Sequence, residues 1–88
     1  MFKGKKILIT GGTGSFGKAF LKSILKSKIK EIRIFSRDEK KQDDLRKEFK
    51  NNKIKFLIGD IRDPQSVDLA SRDVDYIFHA AALKQVPT

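Results

Sequence analysis

Between a short apolar run and a helical pattern stands Thr10-Gly11-Gly12-Thr13-Gly14-Ser15-Phe16-Gly17. The Gly-x-x-Gly-x-x-Gly spacing fits a tight corner from a strand into a helix, with a physical task for each glycine. Gly11 permits the turn out of the strand. Gly14 lets the backbone approach a pyrophosphate with no Cβ in the way, and Gly17 lets the helix lie close to the sheet. A helix starting near Ser15 offers its unpaired N–H groups and the positive end of its dipole to phosphates. Gly12, Thr13, Ser15 and Phe16 complete the turn as candidate contacts. A P-loop needs Gly-Lys-Ser/Thr at the end of the turn, and Gly17-Lys18-Ala19 lacks it. A glycine motif by itself is weak, and a turn that binds nothing is the plain alternative, so the flanking segments carry the weight.

Those segments alternate. Lys5-Lys6-Ile7-Leu8-Ile9-Thr10 reads as a strand buried on both faces. From Ser15 to about Lys28, Phe16, Ala19, Phe20 and Ile24, flanked by Leu21 and Leu25, recur at helical spacing. Glu31-Ile32-Arg33-Ile34-Phe35 reads as a second strand. Asp38 to about Phe49 is a polar helix with Leu45 and Phe49 as its narrow apolar stripe, stopped at Asn51-Asn52. Ile54-Lys55-Phe56-Leu57-Ile58 is a third strand ending at Gly59-Asp60. Asp63 as N-cap and Pro64 in the first turn open a short helix, with Val67, Leu69 and Ala70 expected to face inward. Val74 to His79 is a fourth strand. The order β-α-β-α-β-α-β implies an α/β fold, with a Rossmann-type parallel sheet in the order 3-2-1-4 and helices on both faces. No internal repeat or linker is visible. Residues 1–88 read as the N-terminal part of an NAD(P)-binding domain, without its later strands. The fourth strand is then an unprotected edge, and poor independent folding is expected.

The cofactor question turns on the tip of the second strand. An NAD site places an acidic residue about 20 residues on to hold the ribose 2′-OH, whereas an NADP site uses a nearby arginine. Here the tip reads Ser36-Arg37-Asp38-Glu39-Lys40-Lys41. Arg37 can stack on adenine and grip a 2′-phosphate bidentately, and Lys40 or Lys41 can add charge. NADP is therefore expected. The alternative is NAD, with Asp38 on the ribose and Arg37 solvated.

Composition narrows the remaining classes. The chain has no cysteine, which excludes a disulfide framework and a thiolate metal site, and no metal site is expected. No apolar run is long enough for a membrane span or a signal-peptide core, so a cytoplasmic location is the default expectation. The formal net charge is +9, a balance that can serve nucleic-acid binding. The basic residues Lys18, Lys22, Lys26, Lys28, Lys40, Lys41, Lys50 and Lys53 are scattered over helices and turns, however, and no RNA-reading aromatic signature appears. They read as solvated faces, and no nucleic-acid partner is expected.

Three segments carry a family resemblance: the glycine turn, Gly59-Asp60-Ile61-Arg62-Asp63 and His79-Ala80-Ala81-Ala82. Together they resemble the extended short-chain dehydrogenase/reductases. More narrowly, Ile34 to Lys40 and His79-Ala80-Ala81-Ala82-Leu83-Lys84-Gln85-Val86-Pro87 resemble the UDP-N-acetylglucosamine 4,6-dehydratases of bacterial surface-polysaccharide and flagellin-sugar synthesis, above all the inverting branch. The resemblance covers essentially the whole chain. It implies that Gly12 to Ser15 lie along the pyrophosphate, that Ser36 to Lys41 surround the 2′-phosphate, and that Asp60 and Ile61 hold the adenine. It further places Ala80 and Ala81 near the nicotinamide ribose, with Lys84 reaching toward cofactor or substrate. For the full-length family it implies an NADP-dependent lyase acting on a UDP-sugar, and a homo-oligomer. Hydride moves from sugar C4 to NADP, water is eliminated across C5 and C6, and the hydride returns to C6.

The acid and base groups of that chemistry, an Asp-Lys pair and a Tyr-x-x-x-Lys motif, do not occur here. Tyr76 is followed by Ala80 four residues on, and no catalytic residue is assigned. The resemblance gives His79, the single histidine, a packing role at the end of a buried strand. The chain by itself is expected to be inactive. Alternatives are the cofactor-binding portion of another extended-family enzyme, such as a nucleotide-sugar 4-epimerase, or a stand-alone nucleotide-binding module.

Overall fold

Residues 2–11 and 15–79 are described by a computed structural model, Ser15 and Phe16 through their backbone alone. Strand β1 (Lys6–Thr10) lies in the middle of a parallel sheet, with β2 (Glu31–Ser36) on one side and β4 (Tyr76–His79) on the other. Beyond β2 lies β3 (Ile54–Ile58), which gives the expected order β3-β2-β1-β4. Central position explains why β1 is the most apolar strand: Ile7, Leu8 and Ile9 are fully buried because both faces of the sheet there are covered.

Side chains alternate between the two faces. On one face Ile7, Ile9, Ile32, Ile34 and Ile54 pack with Leu21, Ile24 and Leu45. Leu21 and Ile24 come from α1 (Ser15–Leu25), and Leu45 comes from α2 (Glu39–Phe49). On the other face Leu8 and Phe35 meet Ala70 of α3 (Pro64–Ala70), with Leu57, Val67 and Val74 at the margin. Each fully buried aliphatic side chain contributes ~1.5–3 kcal/mol, so the larger first cluster carries most of the stability. Lys18 of α1 pairs with Glu48 of α2 across the helix surface at 3.1 Å. Seven of the eight scattered lysines are exposed and Lys18 is half-buried, which fits their reading as solvated faces.

Several element ends differ from the sequence expectation, each for a local reason. Helix α1 stops at Leu25 rather than about Lys28. Its last turn tightens through Lys26 N–H to Ser23 O and Ser27 N–H to Ile24 O, and Lys28 turns left-handed at φ 54°. Helix α2 ends on Lys50, also left-handed at φ 36° and donating its N–H to Arg46 O at 3.0 Å. Asn51 therefore follows the stop rather than making it, its Oδ1 accepting from Lys53 N–H at 2.9 Å. Strand β4 starts at Tyr76 rather than Val74. Asp73 is left-handed at φ 66°, and Asp75 is spent on the start of β1, accepting from Lys6 N–H at 2.8 Å. The expectation that Leu69 faces inward fails: it is 62% exposed. Val67 and Ala70 are three apart and share a helix face, whereas Leu69 is two from Val67 and lies round the back. Asp63 caps α3 as expected, with Pro64 in its first turn. No helix among the described residues is long and apolar enough to cross a membrane.

Candidate functional site

The parallel arrangement brings the C-terminal tips of β1, β2 and β3 to one edge, where open α/β sheets bind ligands. Backbone hydrogen bonds continue past the strands and fix these tips to one another. Gly11 N–H donates to Phe35 O at 2.8 Å, and Gly59 N–H donates to Ser36 O at 3.0 Å. Gly11 has φ 67°, a left-handed conformation that relies on the missing Cβ, as the tight turn requires.

Between the tips opens a cleft of about 170 Å³ lined by Thr10, Gly11, Phe35, Ser36, Arg37, Gly59 and Ile61. Pockets for whole ligands usually run to ~300–1,000 Å³, so this one has room for one end of a dinucleotide. Its walls suit an adenosine carrying a phosphate. Ile61 presents half-exposed apolar surface, and the Arg37 guanidinium is two-thirds exposed.

Asp60 ties the site together. Its Oδ1 accepts from the Arg62 backbone N–H at 2.8 Å and from Nε at 3.1 Å; its Oδ2 accepts from Nη2 at 2.8 Å. Arg37 Nη1 lies 3.6 Å from the same Oδ2. The side-chain hydrogen bonds from Arg62, then its backbone N–H, hold the Asp60 carboxyl at about 2, below its ordinary 3.8. Both carboxylate oxygens are thus engaged by arginine donors. An adenine amino group meeting Asp60 has to displace one of them.

Of the expected site residues, the structure brings Gly11, Ser36, Arg37 and Ile61 together in the cleft, with Asp60 tied to it through Arg37. Gly17 is buried within α1. Asp38 is the N-cap of α2 and accepts from Lys41 N–H at 3.0 Å. Lys40 and Lys41 are exposed on α2, in ion pairs with Asp44 and Asp38, and are not walls of the cleft. Gly12, Thr13, Gly14, Ala80, Ala81 and Lys84 lie outside the described residues, as do the side chains of Ser15 and Phe16. His79 ends β4, a strand that is mostly exposed among the described residues, and its Nδ1 is 2.8 Å from Thr10 Oγ1. It thereby anchors a wall of the cleft.

Three residues escaped the sequence reading. Phe35 forms the floor of the cleft. Gly59 leaves room for the Phe35 ring, since a Cβ there would lie 2.6 Å from Cε2; its place at a strand tip was the available signal. Gln42 is buried beneath Ser36, and nothing in its polar surroundings in the sequence marks it.

The profile of the family described as "Polysaccharide biosynthesis protein" matches residues 7–88. This chain belongs to that family. Membership agrees with the resemblance to extended short-chain dehydrogenase/reductases. The polysaccharide biosynthesis chain is 65% identical, over 92 aligned positions, to a Rickettsia bellii protein named UDP-glucose 4-epimerase, covering 100% of this chain and 27% of that protein. It spans about a quarter of the length of the curated relatives it matches. Among solved structures it is similar to Pen from Bacillus thuringiensis at 48% identity and TM-score 0.87, covering 90% of this chain and 25% of that one. A short-chain dehydrogenase from Streptomyces avermitilis, 21% identical with TM-score 0.66, covers 85% of this chain and 30% of its own and shares the fold. Rossmann-type sheets commonly take a dinucleotide at their strand tips.

Proposed function

We propose that this chain binds NADP across the strand tips, as the cofactor-binding part of a UDP-N-acetylglucosamine 4,6-dehydratase that inverts C5. The observation that carries the cofactor reading is Arg37. Its exposed guanidinium stands beside Ser36 in the strand-tip cleft, while Asp38, the acidic candidate for a ribose hydroxyl, has its Oδ1 committed to the cap of α2. Gly11 and the N-terminus of α1 would face the pyrophosphate. Ser36 and Arg37 would hold the 2′-phosphate, Ile61 would cover the adenine, and Asp60 would take its amino group after yielding a donor. When bound, the dinucleotide supplies a group that takes up and returns a hydride. The residues of this chain bind and orient it. Ala80, Ala81 and Lys84 belong to the same reading, on the nicotinamide and sugar side.

The dehydratase reading is supported by the segment from His79 to Pro87 and by membership of a polysaccharide biosynthesis family. A second reading, a 4-epimerase, is favoured by the names of the curated relatives, UDP-glucose 4-epimerases at 63–65% identity. Incubating the complete enzyme with UDP-N-acetylglucosamine and with UDP-glucose separates the two by NMR of the products. Loss of one water with a 4-keto product supports the dehydratase. Interconversion of the C4 epimers without loss of water supports the epimerase and refutes the first reading.

A further inference from the structure

We propose that Gln42 is a positioning residue that fixes the Ser36 hydroxyl as a donor toward a 2′-phosphate, and so helps the site choose NADP over NAD. This rests on the reading of the strand-tip cleft as an NADP site.

Gln42 lies in the first turns of α2, only 1% exposed, underneath the tips of β2 and β3. Its Nε2 is 2.9 Å from Ser36 Oγ, 2.9 Å from Leu57 O and 3.4 Å from Ser36 O. Two of these are backbone carbonyls, which only accept. Turning the amide over would set its oxygen against both, so the nitrogen must face the strands. Nε2 has two protons. One goes to Leu57 O, and the other to Ser36 Oγ with Ser36 O as a long third partner. Ser36 Oγ is therefore an acceptor toward Gln42. Its own proton is left for another acceptor, and none receives it among the described residues.

A phosphate dianion offers acceptors alone. A ribose 2′-hydroxyl in an NAD site is held instead by an accepting carboxylate. A ribose hydroxyl can also accept from the serine, but a dianionic phosphate, which only accepts and carries charge, gains more from a serine committed as a donor beside Arg37. Packing alone does not explain the glutamine: its Oε1 is buried with no partner among the described residues, and an orphaned buried acceptor is costly. A methionine would fill the same space without that orphan, but would leave Leu57 O and Ser36 Oγ without the donor that Gln42 supplies. The amide is there for the donors it aims.

The test is the affinity of the protein for NADPH and for NADH, read from nicotinamide fluorescence, in wild type, Gln42→Met, Ser36→Ala and the double variant. Gln42→Met should lower the NADPH-to-NADH affinity ratio about five-fold, the effect of one misdirected hydrogen bond. Ser36→Ala should lower it at least as much, and the double variant no further than Ser36→Ala. A ratio unchanged by Gln42→Met, or effects that multiply in the double variant, overturns the role of Gln42 while leaving the NADP site standing. A wild type that binds NADH more tightly than NADPH overturns both. Should Gln42→Met fail to fold, Ser36→Ala alone decides: an unchanged ratio overturns the proposal.

Discussion

Asp60 shows how a surface carboxylate is tuned by its neighbours. Arg62 supplies both side-chain and backbone donors, which favour the ionised form and hold the group at about 2 against an ordinary 3.8. A depressed carboxyl stabilises the fold above its unfolded value, so this contribution is present above pH 3.8 and is lost as pH falls through about 2. Carbon-detected NMR of the Asp60 carboxyl should give a midpoint near 2 in the wild type, and Arg62→Ala should move it back toward 3.8. A midpoint that does not move would contradict the assigned cause. Gly59 makes a steric prediction. A methyl there would press on Cε2 and Cζ of Phe35 at 2.6 and 2.7 Å. Gly59→Ala should then cost ~1–3 kcal/mol in urea unfolding and deform the cleft, as overpacking does. Much of this site was legible beforehand: Ser36, Arg37 and Ile61 sit at strand tips, and strand tips can be read from where apolar runs stop. Gln42 was not legible, because a glutamine in a run of Lys, Asp and Glu looks solvated until the helix face is known.

Helix α2 is held by little. Leu45 is its one fully buried apolar residue, with Phe49 half-buried beside it. Leu45→Ala should therefore cost ~2–4 kcal/mol by chemical denaturation, as the deletion of a buried leucine side chain does. The C-cap gives a gain instead. Lys50 holds a left-handed φ of 36°, a conformation that glycine adopts without a Cβ penalty. Lys50→Gly should stabilise by ~0.5 kcal/mol once the greater freedom of the unfolded chain is subtracted, and a destabilisation would show that the lysine side chain contributes there. The elements themselves were legible because each strand is a run of β-branched or aromatic residues and each helix has a single apolar stripe. Their ends were not. The left-handed residues Lys28, Lys50 and Asp73 are not glycines, so composition gives no sign of where the chain turns. Leu69 differs for another reason: it is hydrophobic, but its helical angle sets it away from the face shared by Val67 and Ala70.

The whole sheet is arranged by its connections. Right-handed crossovers carry the chain outward from β1 to β3 along one face and return it over the other face to β4. The strand tips thus gather at one edge, and among the described residues β3 and β4 are the outer strands. Strand β4 pairs with β1 alone among the described residues, and Tyr76 and Ile77 are each 43% exposed. The basic charge is dispersed over helix surfaces, partly in ion pairs such as Lys40–Asp44 and Lys47–Asp43, each worth ~0–1 kcal/mol. At the cleft, Arg37 and Arg62 both reach Oδ2 of Asp60. The central claim, that this edge receives an adenosine bearing a 2′-phosphate, is tested most directly by titrating the protein with adenosine 2′,5′-bisphosphate and with adenosine 5′-monophosphate while following backbone amide signals. The bisphosphate should bind more tightly and move the amides of Gly11, Ser36, Arg37 and Ile61. Equal binding of the two, or shifts confined to other strands, would contradict the account.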